Sequence, residues 1–214
     1  MASNFKYACF ISYCHGQHEL VTGFTDQLKQ ALDDELDAFL DAPVYLDKDR
    51  LLPGAKYNEK LGADICRSLC MVVVYSPRYE SHSYCLREFE AMVRLETRRL
   101  DNLPSADREV GLIIPVVLRG ADQVPATIKS GRHYVDFSHF SLASTEIKRN
   151  PDFLAEIRKM ALVIHRHHLA FMRSAVDACS GCDDYRLPAE EEIKPWRPDV
   201  GTAPAWPPTL PSRG

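Results

Sequence analysis

A basic stripe is missing from this chain, and so is any long apolar run. Lysine and arginine number 26 against 30 aspartates and glutamates, a formal net charge of −4. A dedicated nucleic-acid binder usually clusters positive charge on one face, so that class is set aside. The opening Met-Ala-Ser-Asn-Phe-Lys-Tyr has no apolar run of signal-peptide length, and nothing approaches the roughly 20 apolar residues of a membrane span. The expectation is a cytoplasmic protein without a membrane partner. There is no Walker loop, no Gly-x-Gly-x-x-Gly fingerprint and no internal repeat. Cysteine is present in an odd number, seven. Cys9, Cys66 and Cys70 lie in or beside apolar segments, where free cysteine behaves as a small hydrophobe. In a reducing compartment no disulfide framework is expected.

What is present reads as an alternating α/β chain. A hydrophobic content of 45% is enough for a core, and 26% charged residues is ordinary for a soluble domain. Lys6 to Tyr13 is a short apolar, aromatic strand ending in the polar cluster Ser12-Tyr13-Cys14-His15-Gly16. From Gln17 to Phe39, Leu20, Phe24, Leu28, Leu32 and Leu36 recur every fourth residue, the stripe of an amphipathic helix. Pro43 to Asp47 is a second strand, followed by a loop whose Pro53-Gly54 pair marks a turn. A helix from Tyr57 to Leu69 leads into the apolar run Met71–Tyr75, and another helix starts near Ser83.

Gly111–Leu118 is a fourth strand, with Pro115 placed at a bulge or near an edge because it lacks a ladder donor. His133–Phe137 is a fifth. Asn150-Pro151 opens a long helix with core positions Leu154, Ile157, Ala161 and Ile164, running to about Val176. Strands alternating with helices predict a parallel sheet covered on both faces. Half of the 14 prolines and both tryptophans fall after Leu187. The boundaries expected are one domain over 1–177 and a Pro/Trp-rich tail over 178–214. That tail is either a flexible extension or a segment docked through Trp196 and Trp206 on a partner or on this domain.

The third strand and the helix after it are the stretch with chemical potential. In an open α/β sheet, ligands bind outside the carboxyl ends of the strands. Helical spacing sets both Glu88 and Glu90 about 100° from the centre of the apolar arc, on opposite flanks. Periodicity therefore leaves both as either surface carboxylates or site residues. Tyr84, one turn before Glu88, is either a site aromatic or a half-buried ring closing the sheet end.

Three segments together resemble the Toll/interleukin-1 receptor (TIR) domain family, in particular its bacterial and plant-like members. They are Tyr7-Ala-Cys-Phe-Ile-Ser-Tyr13, the loop Tyr45-Leu-Asp-Lys-Asp-Arg-Leu-Leu-Pro-Gly54, and Val73-Val-Tyr-Ser-Pro-Arg-Tyr79 with Ser83-Tyr-Cys-Leu-Arg-Glu-Phe89. Two positions depart from the pattern: Ala8 stands where an acidic residue is usual, and Tyr84 where tryptophan is usual. The resemblance covers about residues 5 to 177. It implies a flavodoxin-like three-layer sandwich with a five-stranded parallel sheet of order 2-1-3-4-5. The topological switch then lies between the first and third strands, so their ends flank one crevice.

The resemblance also implies an activity, cleavage of the nicotinamide–ribose bond of NAD+, with Glu88 at the position of the family's catalytic glutamate. NAD+ would be substrate, with no separate cofactor and no metal. Ser12, Tyr13, Cys14, His15, Asp47, Lys48, Arg50, Leu51, Pro53, Gly54, Ser76 and Tyr84 are the implied substrate-binding positions. Nicotinamide leaves as a neutral molecule, so one carboxylate suffices where ordinary glycosidases use two. Products would be ADP-ribose or a cyclic or variant ADP-ribose signal, and the setting bacterial anti-phage or cell-death defence. Self-association through the loop after the second strand, the BB loop, belongs to the same expectation. The alternative is a non-catalytic TIR–TIR signalling or scaffold module, and a base-exchange enzyme of deoxyribosyltransferase type is a third reading.

Two other constellations carry residue types with potential chemistry. His165 and His168 share a helix face, and Cys179 and Cys182 have the spacing of a metal-ligand pair. On one continuous helix the pairs would stand roughly 16 Å apart, which disfavours a shared ion. A phosphoacceptor receiver needs acidic residues after the first strand and an aspartate ending the third. Ser12-Tyr13 and Tyr75-Ser76 occupy those positions instead.

Overall fold

A computed structural model describes residues 5–15, 19–46, 57–140, 146–174 and 176–197. The loop at 47–54 and Trp206 lie outside the described residues. Five strands, β1 (Tyr7–Tyr13), β2 (Val44–Leu46), β3 (Ser68–Tyr75), β4 (Ile113–Val117) and β5 (Val135–Asp136), form one sheet of order β2-β1-β3-β4-β5. Every pairing is parallel. The helices are α1 (Glu19–Leu36), α2 (Tyr57–Cys66), α3 (Ser83–Leu100), a single turn α4 (Ala126–Lys129) and α5 (Pro151–Arg173). This is the flavodoxin-like α/β sandwich, with strand order 2-1-3-4-5.

Side-chain alternation along the strands divides the core in two. Cys9, Ile11 and Tyr13 of β1 and Val72 and Val74 of β3 join the layer under α1 and α5. Phe10 and Cys14, with Met71, Val73 and Tyr75, join the layer under α2 and α3. All eight residues of β3 are buried, the continuous apolar run of a strand covered on both faces. Pro115 pairs with Val73, and β5 reaches only Val116 and Val117. The Leu118 amide bonds back to Tyr75 and the Phe137 amide to the Val117 carbonyl. Odd-numbered groups of β4 therefore face the β5 side, and the donor missing at Pro115 falls where β5 has not begun.

Asn150 caps α5, its side-chain oxygen accepting from the Asp152 and Phe153 amides at 2.9 and 3.3 Å, with Pro151 in the first turn. The stripes differ from the sequence reading at their ends. Leu20 is 50% exposed and Leu154 is 40% exposed. Phe153 and Met160 take the core positions on α5. Both outliers sit in the first turn of a helix, and on α5 the neighbouring Phe153, fully buried, takes the inward position in that turn.

Buried charge ties α3 to the strand starts. Arg99 is 2% exposed and donates to the carbonyls of Ser68 (2.9 Å), Ala178 (3.3 Å) and Cys66. Glu96 accepts from the Leu112 and Ile113 amides at 2.6 and 3.3 Å and pairs with Arg132. A Cβ on Gly111 would collide with the Glu96 carboxylate, so a larger residue there would have to displace that side chain.

Residues 176–197 form a strap across α2 and α3. Cys182 is bonded to Cys66 at the end of α2, 116 positions earlier in the chain. This corrects the expectation of free thiols: the two cysteines are joined by tertiary packing that no local pattern announces. The Tyr185 hydroxyl donates to the Ala91 carbonyl at 2.7 Å, and Arg87 Nε donates to the Pro188 carbonyl at 2.7 Å. Leu187 is buried in the layer under α2 and α3. Ile193 and Trp196 pack at its margin.

Candidate active site

The carboxyl ends of β1 and β3 and the first turns of α3 meet at one place. The alternation that puts Phe10 and Cys14 under α2 and α3 points Ser12 to the same side. Its hydroxyl lies 2.6 Å from Oε2 of Glu88 and 2.7 Å from the hydroxyl of Tyr79. Tyr79 comes from the 3-10 turn Pro77–Ser81 between β3 and α3, and its hydroxyl donates to the Cys85 carbonyl at 3.0 Å. The Cys85 thiol donates to the Tyr13 carbonyl at 3.5 Å, closing the contact between β1 and α3. Ser12 and Tyr79 are buried, and Glu88 is fully buried.

Glu88 and Glu90, equivalent by periodicity, are separated by the packing. Glu88 is 0% exposed under the sheet end. Glu90 is on the outer flank, 3.1 Å from Arg94 in an i,i+4 pair. The apolar arc of α3 is wider than the sequence pattern suggests and takes in Glu88, Glu96 and Arg99.

Tyr13 and Cys14 are buried, and His15 is half-buried with its ring 4.1 Å from that of Tyr13. Ser76, at the end of β3, is half-buried. Tyr84 points outward: it is 37% exposed and lies against the guanidinium of Arg87, 5.1 Å from its ring centre. Asp47, Lys48, Arg50, Leu51, Pro53 and Gly54 lie outside the described residues. The structure thus brings Ser12 and Glu88 together and leaves Tyr84 on the helix surface.

Tyr79 was not singled out in the sequence. The signal was an aromatic residue two positions after Ser76-Pro77, in a loop otherwise polar enough to face water. Its ring stacks on Trp196 of the strap at 5.5 Å between centroids, and Trp196 also meets Phe89 edge-on at 4.8 Å. Next to it, Glu80 accepts from Arg197 at 2.6 and 2.9 Å and from the Tyr75 hydroxyl. Burial alone would raise the Glu80 carboxyl, but the hydrogen bonds from Arg197 and Tyr75 outweigh it and hold the group below its usual value. The Tyr75 phenol is pushed up to about 12, by burial and then by Glu80.

The four metal-like residues do not form a centre. Cys182 is committed to Cys66, and His165 stacks on Phe39 at 4.7 Å. Among the described residues no group of three or more His, Cys, Asp or Glu side chains could hold an ion. Nor is any described helix long and apolar enough to cross a membrane.

A family model described as the TIR domain matches residues 9–149, well over half of the chain. The chain belongs to the TIR domain family. The match spans β1 through β5 and so includes Ser12, Tyr79 and Glu88, while the strap lies beyond it. No curated protein matches the chain.

Proposed function

We propose that this TIR domain is an NAD+ nucleosidase, with Glu88 as its catalytic carboxylate. The observation that carries the reading is the convergence of Glu88 and Ser12 at the carboxyl ends of β1 and β3, the switch point where α/β sheets bind ligands. The C1′–N bond breaks with its electron pair going to nicotinamide, which departs neutral. A fixed carboxylate stabilises the oxocarbenium-like ribose or attacks it, and either role needs the ionised form. Water then gives ADP-ribose and a proton, whereas attack by an adenine nitrogen of the same molecule gives a cyclic product. Ser12 to His15 and Ser76 line the crevice in this reading, the 47–54 loop meets the phosphates, and Tyr84 flanks the entrance. A bacterial defence role, with release of an ADP-ribose signal in the cytoplasm, fits the same reading.

Assembled protein incubated with NAD+ is expected to release nicotinamide, and Glu88→Gln is expected to abolish the release with the fold intact. Turnover retained by Glu88→Gln would remove this residue from the chemistry. One observation favours a second reading, a non-catalytic TIR–TIR module: Glu88 is fully buried and its carboxylate is held by Ser12. Under that reading substitutions at Arg50 or Gly54 weaken self-association, and no condition yields nicotinamide.

A further inference from the structure

Three sulfurs meet where the strap crosses the end of α2. The Cys66–Cys182 disulfide is sealed from water, with Cys66 0% and Cys182 3% exposed. Cys179, in the strap just before Cys182, is half-buried and carries a thiol. Its Sγ lies 4.0 Å from the carbonyl oxygen of Cys66. The Cys182 amide donates to the Cys179 carbonyl at 3.1 Å, and Gly181 takes a positive φ of 77° in the same turn. A turn closed in this way sets the Cα atoms of Cys179 and Cys182 within about 7 Å, a separation that a disulfide bridges. Cys182 therefore has two sulfurs in reach, one in its own turn and one on α2.

The α3 side makes the two unequal. Nη2 of Arg98 stands 3.8 Å from Sγ of Cys66. A guanidinium beside a sulfur stabilises its thiolate, and the better-stabilised thiolate leaves faster. Arg99 donates to the carbonyls of Cys66 and Ala178 and so keeps α2 and the turn side by side. A cavity of about 240 Å³ opens on the same turn, lined in part by Arg98, Asp177, Ala178 and Ser180, and leaves it room to move.

We propose that Cys66, Cys179 and Cys182 form a thiol–disulfide exchange site, where the bond holding the strap to α2 is traded for one inside the strap. Cys179 gives its proton to solvent, and its thiolate attacks Sγ of Cys182. The Cys179–Cys182 bond forms as the Cys66–Cys182 bond breaks, and the electron pair leaves on Cys66 beside Arg98. The step is an isomerisation, so neither oxidant nor reductant is consumed. The crosslink contracts from a sequence separation of 116 to a single turn, and the strap loses its covalent tie to α2. The new disulfide includes the half-buried Cys179, where a small soluble thiol can attack; the original bond is closed to it.

The charges around Cys179 come from each element packed on it. They are Arg67 after α2, Arg98 and Arg99 on α3, and Asp177 in the strap. Asp183 pairs with Arg67, and the Tyr185 ring lies against Arg98. Burial pushes the Cys179 thiol up, against the pull of Arg99. The resting group is the protonated thiol, and exchange quickens as pH rises.

The test follows the sulfurs in the full chain, held without oxygen at about pH 8 with reduced glutathione. Samples are quenched in acid, blocked with N-ethylmaleimide, digested without reduction and mapped by mass spectrometry. A Cys179–Cys182 linked peptide, with maleimide on Cys66, is expected before the chain is fully reduced. Cys179→Ser should slow the loss of the Cys66–Cys182 bond about tenfold, because bulk thiol must then reach a sealed disulfide. Arg98→Gln should slow the appearance of the linked peptide roughly threefold, through a less stable leaving thiolate. Equal rates in wild type and Cys179→Ser, with no Cys179–Cys182 peptide, would overturn the proposal. So would a Cys66–Cys179 peptide in its place, which reverses the leaving group, or a rate of exchange that rises with protein concentration, which makes it intermolecular.

Discussion

His167 lies on the inner face of α5 and is 2% exposed, with Nε2 donating to the Gly111 carbonyl at 3.1 Å. Burial comes first among the causes that hold its imidazole below the usual value, and it outweighs the opposing pull of the carbonyl. A depressed value means the unfolded chain takes up a proton more readily than the folded one. The contribution to stability is therefore complete above about pH 6.5, the ordinary histidine value, and is lost as pH falls through the lower folded value. Thermal melts between pH 5 and 8 should show this slope, and His167→Gln should flatten it. An unchanged slope would move the effect to another group. Buried charged residues of this kind are also the ones least legible in the sequence. Hydrophobic periodicity treats every charged side chain as outward, so it could not separate Glu88 from Glu90 or foresee Glu96 and Arg99 in the interior. The family motif singled out Glu88. Tyr79, whose role depends on a loop conformation, had no periodic signal at all.

Among the elements, the strap comes closest to the backbone of α2 at Gly62. A Cβ at Gly62 would stand 2.6 Å from the Tyr185 carbonyl oxygen and 2.9 Å from the Arg186 Cα, both backbone atoms that cannot step aside. Gly62→Ala should therefore lift the strap off α2 even though alanine improves the intrinsic propensity of the helix. Limited proteolysis should then cut between Asp177 and Arg197, and tryptophan emission should shift red as Trp196 leaves Tyr79 and Phe89. Resistance equal to wild type would show that the helix absorbs the methyl group. The disulfide gives a second handle, because Cys66 and Cys182 close a loop with a sequence separation of 116. Cys182→Ser should lower the unfolding free energy by about 2–5 kcal/mol, the range for loss of a native disulfide, seen as an earlier denaturant midpoint. The strands and long helices were legible because each repeats a simple period over several turns or residues. The strap was not, since proline-rich composition reads the same whether a segment is docked or extended. What decides it is Gly62, Cys66 and Ala91, more than 90 residues away in the chain.

At the scale of the whole molecule, the buried state of Glu88 bears on how the proposed enzyme is switched on. In the single chain the carboxylate is fully buried and bonded to Ser12, while NAD+ cleavage needs it ionised and against the ribose. Turnover therefore draws on a minor conformation, and whatever binds that conformation preferentially raises the rate in proportion to the population it gains. A second TIR domain is the effector that family membership supplies, and the loop at 47–54, which follows β2 at the edge of the sheet next to β1, is where it is expected to act. Specific activity should rise more than tenfold, for about 1.4 kcal/mol of differential binding, between dilute monomer and protein held together by a fused oligomerisation domain. Arg50→Ala and Gly54→Ala should reduce both the association measured by analytical ultracentrifugation and the gain in nicotinamide release. Nicotinamide release that is proportional to enzyme concentration over the whole range, and equal in the fused and dispersed forms, would sink the assembly requirement and show that the single chain opens its own site.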